Sequence, residues 1–221
     1  MKFSQAQSEA YFELCKYRMK NVYLTWVEQF LDLIEDNIDT SVEFCINDIG
    51  CNLGQFYKGL RRRKFCKNVE YYGLDNSEKY LKEAKIIFSD IKSNFININI
   101  CETSPPFKCN VSISSATFEH LNNYPKALTN TFQTTKNLFL LRTFLSEKYD
   151  NENLSIKGGN NYPVQQFSFH EICSIAKENN FYTEIIRDRF TDSLPSPVGN
   201  RTGENIIMRT FYICMFKPIN S

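Results

Sequence analysis

A chain of 221 residues with 42% apolar content suits one α/β domain with a short extension and a substantial core. Lys and Arg number 26 against 25 Asp and Glu, a net charge of +1, so no global electrostatic footprint for nucleic acid is present. No run is long enough to span a bilayer, residues 1–5 open without an apolar leader segment, and eight single cysteines with no C-x-x-C pair predict reduced thiols in a cytoplasmic protein, with no disulfide and no metal site.

Residues 5–36 carry Tyr11, Leu14, Cys15, Val22, Trp26, Phe30, Leu33 and Ile34 at helical spacing, which predicts one or two helices ending near Asn37. Phe44-Cys45-Ile46-Asn47-Asp48-Ile49 reads as a strand buried on both faces. Gly50-Cys51-Asn52-Leu53-Gly54 then reads as a tight turn into a helix that starts at Gln55-Phe56. Its glycines let backbone approach a ligand closely. A dinucleotide fingerprint needs G-x-G-x-x-G, but Asn52 interrupts that pattern and Tyr57 stands where its last glycine falls. Asp48, ending the strand, suits a cationic group better than a pyrophosphate. The basic run Arg61-Arg62-Arg63-Lys64 reads as a solvated helix cap favoured by the macrodipole.

Val69–Asp75 is a second strand ending in a carboxylate, at the distance from the glycine turn where a ribose hydroxyl pair is gripped. A helix follows with Tyr80, Leu81, Ala84 and Ile87 on one face, then alternation over Phe95–Ile100 predicts a third strand. Pro105-Pro106 mark a turn. Val111–Ala116 is a fourth strand, and a helix opens at Tyr124. Asn137–Thr143 is a fifth, with Arg142 at its end beside the crevice, where a guanidinium could clamp a phosphate or carboxylate or join a surface ion pair. Residues 146–161 are polar, include Gly158-Gly159, and predict a mobile loop over a substrate. Ser168 and Glu171 fit a capping box and place His170 in a first helical turn. Tyr182–Arg187 and Thr210–Phe216 are the last strands, joined through a long loop over 191–205. With no helix between them they form an antiparallel hairpin at the sheet edge.

Asp48-Ile49-Gly50-Cys51-Asn52-Leu53-Gly54 resembles motif I of the class I S-adenosylmethionine (SAM)-dependent methyltransferases. Tyr72-Gly73-Leu74-Asp75-Asn76-Ser77 looks like their motif II, and Phe118-Glu119-His120-Leu121 after the fourth strand is similar to a motif of small-molecule members. Asn52 departs from the commonest form of the first motif. The resemblance covers roughly residues 42–217. It implies a Rossmann-like, seven-stranded, mostly parallel sheet with helices between the first six strands and an antiparallel C-terminal hairpin. A helical extension would span 1–40 and the methyltransferase domain 41–221.

The same resemblance implies SAM (S-adenosyl-L-methionine) as cofactor. Its holders would be Asp48, Gly50, Cys51, Asn52, Gly54, Phe56, Asp75, Asn76, Ser115 and Ala116, with Asn99 and Ile100 at the adenine and Glu102 as the alternative to Asn99. Tyr11, Tyr17 and Arg18 would form a lid, and Thr117, Tyr124 and Thr143 would stand near the acceptor. His120 would remove a proton from an attacking hydroxyl, or pack and order its loop; Arg142 would orient an anionic acceptor. Methyl transfer to an oxygen or nitrogen of a small molecule is expected, on a sugar or phosphoryl-type group of bacterial surface-polysaccharide or secondary metabolism. No nucleic acid or membrane partner is expected, and monomer and dimer both stay open. The rival readings are a catalytically silent SAM binder and a nucleotide-cofactor oxidoreductase.

Overall fold

Ile46, Asn47, Asp48 and Ile49 are all buried because β1 (Phe44–Ile49) lies between two parallel neighbours, β2 (Val69–Asp75) and β4 (Cys109–Ser115). The computed structural model describes residues 8–156, 160–199 and 206–219. Two helices precede β1: α1 (Glu9–Asn21), capped by Ser8, and α2 (Thr25–Asn37), which ends where the sequence places it. A short α3 (Gln55–Leu60) joins β1 to β2, and α4 (Glu78–Ile87) leads to β3 (Phe95–Asn97). Beyond β4 come α5 (Tyr124–Gln133), β5 (Thr135–Ser146), β6 (Asp150–Ile156), β7 (Asn160–Ser168) and α6 (Phe169–Glu178). The chain closes with β8 (Phe181–Arg187), β9 (Ser196–Gly199), β10 (Ile206–Arg209) and β11 (Phe211–Pro218).

The main sheet runs β3-β2-β1-β4-β5-β11-β8, parallel except that β11 lies antiparallel between β5 and β8. The expected antiparallel edge pair is therefore present. Alternation along each strand feeds two cores. On β5, Leu138 and Leu140 enter the core shared with α1 to α4, while Phe139 and Leu141 enter the one under α5 and α6.

Several expectations are corrected. Residues 146–161 are no open loop: β6 and β7 pair as an antiparallel hairpin, and the end of β7 runs parallel to the end of β5 at Leu145 and Phe167. β5 overshoots the sheet, and its protruding main chain takes this partner. Residues 157–159, with Gly158 and Gly159, lie outside the described residues, as do 5–7 and 200–205. Within the expected 191–205 loop, β9 pairs antiparallel with β10. The third strand stops at Asn97, because Asn99 Oδ1 accepts the Cys101 N–H at 3.1 Å and bends the chain. No helix joins β3 to β4.

The basic run is not a free cap. α3 ends at Leu60, and Arg63 reaches Glu28, Asp32 and Glu35 on α2 at 2.5, 2.7 and 2.8 Å. One guanidinium thus neutralises three carboxylates on one helix face. Arg63→Ala is expected to lower stability by about 1 kcal/mol, an effect that fades at about 1 M salt, read by denaturant midpoints.

Candidate active site

The turn after β1 hangs on the end of β2. Gly50 and Cys51 both donate their N–H to the Leu74 carbonyl, at 2.7 and 3.1 Å, and Asn52 N–H donates to Asp75 Oδ2 at 3.0 Å. Gly50, Asn52 and Gly54 hold φ of 74°, 54° and 82°. Glycine enters that region freely, and asparagine tolerates it better than most side chains. Asn52 also caps its own turn, Oδ1 accepting Leu53 N–H at 2.8 Å. A Cβ built at Gly50 would stand 2.1 Å from Thr117 Oγ1, so turn and post-β4 loop touch directly.

Over this contact lies a cavity of about 560 Å³, a size ordinary for small-molecule sites. Asp75 lines one end. Its Oδ2 takes the Asn52 amide and Oδ1 the Ser77 amide at 2.9 Å, leaving each oxygen a second lone pair. Burial pushes the Asp75 carboxyl up, and the same amides oppose the rise. Asp48 lies deeper and accepts the Tyr71 hydroxyl at 2.7 Å. Burial pushes its carboxyl up to about 7, the Tyr71 donor working against that and the Asp75 charge with it. Asn99 and Ile100 line the same cavity; Glu102 is exposed and stands outside it.

The other end is built by β4, β5 and β11. Ala116 holds φ 54° and donates its N–H to the Arg142 carbonyl at 3.0 Å. Arg142 is 3% exposed; Nε and Nη2 donate to Asp188 Oδ1 and Oδ2 at 2.9 and 3.0 Å. Burial disfavours the Asp188 charge, yet the Arg142 guanidinium and Thr191 hold its carboxyl below the usual range. The flat face of Arg142 lies 3.6 Å from the Phe211 ring centroid. His120 lines the cavity with Nδ1 3.0 Å from the Pro163 carbonyl of β7. A carbonyl only accepts, so Nδ1 carries the proton and Nε2 is the acceptor nitrogen of the neutral ring.

Helix α1 closes the top with Tyr11, Cys15 and Arg18. It is pinned at both ends. Lys58 Nζ donates to the Met19 and Val22 carbonyls at 2.6 and 3.3 Å, and Glu9 pairs with Lys79 on α4. Arg18 has no ion-pair partner among the described residues.

Residues 47–138 match the family model described as a methyltransferase domain. A SAM-dependent methyltransferase from Clostridium acetobutylicum ATCC 824 is similar with a TM-score of 0.64 and 10% identity, over 96% of this chain and 100% of that one. Magnesium protoporphyrin IX methyltransferase from Synechocystis PCC 6803, solved with bound S-adenosylhomocysteine (SAH), gives 0.57 and 15%, over 87% and 81%. Mitomycin 7-O-methyltransferase gives 0.60 and 13%, over 96% of this chain and 58% of that one. No curated protein sequence matches.

The chain has the class I fold of SAM-dependent methyltransferases and matches a methyltransferase domain over residues 47–138. Identities this low establish the fold, not the acceptor.

The methyltransferase cradle fits SAM. The left-handed turn keeps side chains off the crevice floor, and Asp75 presents oxygens already oriented by main-chain donors. Of the expected cofactor residues, all but Gly54 line the one cavity. Gly54 sits behind it as the N-cap of α3, packed on Phe88. Tyr11, Arg18, Thr117, His120 and Arg142 join them there.

Two expected acceptor residues and one expected lid residue lie outside the lining. Thr143 follows Arg142 on β5 and must face the opposite side of the sheet, where Oγ1 donates to Glu119 Oε2 at 3.1 Å. Tyr124 is buried against Phe167 and Tyr149. Tyr17 is 59% exposed on the outer face of α1. Arg142 is no surface ion pair and no idle clamp, since Asp188 holds two of its nitrogens. Sequence reasoning missed Leu24, Phe190 and Phe211, and took Trp26 only as a packing residue. A lone tryptophan beside an N-terminal helix end was the one available signal; the two phenylalanines gave none.

Gly50→Ala is expected to weaken SAH binding at least about tenfold, because the methyl group meets Thr117 and φ is left-handed. Asn52→Gly should leave it within about threefold; calorimetric titration compares the two. Asp188→Ala leaves a buried unpaired guanidinium and is expected to cost about 3–5 kcal/mol in denaturant unfolding.

Proposed function

We propose that the protein transfers the methyl group of SAM to an oxygen, or a nitrogen, of a small molecule. The observation that carries this reading is one continuous cavity whose lining joins Asp75 and Asn99 at one end to His120 and Arg142 at the other. When bound, SAM supplies a methyl group made electrophilic by positive sulfur. Asp75 accepts the ribose hydroxyls, and Asn99 with Ile100 takes the adenine edge. Asp48 faces the cationic portion. Arg18 receives the cofactor carboxylate, a role supported by Gln55 lining the same end and by its lack of another ion-pair partner among the described residues. His120 Nε2 takes the acceptor proton. Arg142, fixed by Asp188, shapes the acceptor wall. Much of the rate then comes from holding acceptor and methyl group in line.

On this reading residues 1–40 form the helical extension that closes the cavity, and 41–221 form the catalytic domain. We place the enzyme in the cytoplasm, acting on a small molecule and not on nucleic acid, as monomer or dimer. The eight free cysteines and the balanced charge support this, and no helix among the described residues is long and apolar enough to cross a membrane. Bacterial small-molecule metabolism is the broad setting.

The Asp48 carboxyl gives the reading a pH signature. Its folded-state value, about 7, lies above the ordinary carboxylate range, so between about pH 4 and 7 the folded protein binds the extra proton. Stability of the free protein from this group therefore falls as pH rises across that window. A cation beside Asp48 favours the charged form. SAM affinity is thus expected to rise by up to about tenfold from pH 6 to pH 8, with proton release, and Asp48→Asn should flatten the dependence. Titrations in buffers of different ionisation heat check both.

The decisive measurement is heat on mixing folded protein with SAM and with SAH; silence toward both sinks the proposal. In a methyl-donor assay, His120→Ala is expected to lower kcat about 10²- to 10⁴-fold with SAM affinity unchanged.

A further inference from the structure

The two ends of the cavity differ in chemistry. Its two carboxylates, Asp48 and Asp75, stand at the ends of β1 and β2, on the nucleoside side. Beyond the ends of β4 and β5 the wall is made by Leu24, Trp26, Leu121, Phe190 and Phe211. The polar side chains at those strand ends are Ser115, Thr117, His120 and Arg142, and Asp188 already occupies two nitrogens of Arg142. A sugar ring carries several hydroxyls, each of which needs a partner once it is out of water. This wall offers too few polar groups to partner them all.

It suits a flat apolar body instead. Arg142 lies over the Phe211 ring, 3.6 Å from its centroid and 5.5 Å from that of Phe190, and Phe144 packs on Phe211 as well, so Phe190 is the ring left open. Phe190 is 53% exposed although it lines the cavity. A stacked ligand would cover such a ring and gain about 0.5–1.5 kcal/mol beyond simple burial.

We infer that the acceptor is a planar aromatic compound methylated on a ring hydroxyl, its ring stacked on the exposed Phe190 and bounded by Trp26 and the edge of Phe211. This rests on the methyltransferase reading and narrows it. The ring hydroxyl lies at the His120 end. Its oxygen forms the new O–C bond, its proton passes to Nε2 of His120, and the electron pair of the broken S–C bond stays on sulfur. An aromatic hydroxyl ionises near the tyrosine value of about 10, far below the roughly 15.7 of water, so one imidazole can take its proton. A saturated alcohol is a much harder substrate for the same group.

Trp26 is the only tryptophan and lines the acceptor wall, so its fluorescence reports occupancy directly. The test uses the full chain saturated with SAH. Calorimetry first confirms SAH binding; its absence sinks the methyltransferase reading itself, before the acceptor is addressed. Phenol, catechol, 2-naphthol and 8-hydroxyquinoline are then titrated against glucose, galactose and glycerol 3-phosphate. At least one aromatic hydroxyl is expected to change Trp26 emission with saturation, and with SAM to give a methyl ether and SAH. The Phe190→Ala variant, altered at a half-exposed ring, is expected to raise the Kd of that compound about tenfold while SAH affinity, which also reports folding, stays within twofold. Silence of Trp26 toward every phenol on SAH-loaded protein overturns the inference, as does turnover of a sugar with none of any phenol. An unchanged Kd in Phe190→Ala overturns the proposed stacking.

Discussion

The short tether between the β1 turn and the end of β2 governs the rest of the molecule. Three successive amides, from Gly50, Cys51 and Asn52, are spent on Leu74 and Asp75. That forces positive φ at Gly50, Asn52 and Gly54 and fixes the turn at the sheet's carboxyl edge. Because Asn52 binds Asp75 Oδ2, the same contact that shapes the turn also aims the carboxylate. Cofactor cradle and backbone conformation are one structure, and Thr117 packed against Gly50 extends it to β4. The crevice therefore opens at the carboxyl ends of β1, β2 and β4, where the strand order reverses.

Around that fixed floor the protein places charge unevenly. Asp48 is kept deep, its carboxyl pushed up to about 7 by burial, so it can respond to a cation arriving beside it. Arg142 meets the opposite fate. Its charge is balanced by Asp188, a residue 46 positions away in the chain, and its flat face becomes part of an aromatic wall. A charged side chain thus serves as shape as much as charge. The β6–β7 hairpin acts at a distance too: by offering the Pro163 carbonyl to His120 Nδ1, it sets which ring nitrogen can accept a proton.

Strand residues and the helix after Ser77 were legible because each signal is local. Buried runs such as Phe44–Ile49 and Val69–Asp75 mark inner parallel strands, and the left-handed positions select glycine or asparagine whatever packs around them. The readings that failed depended on partners far away in sequence. Polar residues 150–156 look like loop until the overshooting end of β5 provides something for β7 to pair with. Thr143 looks like a crevice residue until the pleat that points Arg142 inward is seen to turn it toward Glu119.

The amino-acid sequence by itself determined the turn, the carboxylates that end the first two strands, and hence the kind of fold and cofactor. Those features arise from backbone sterics and spacing over a few residues. Only the tertiary structure decided the aromatic wall of the cavity. Trp26, Phe190 and Phe211 come from three distant segments, and they meet because β11 inserts between β5 and β8 while the α1–α2 corner folds over the sheet. Which side chains face one another across a cavity is set by strand order and helix docking, and no local run of residues encodes that.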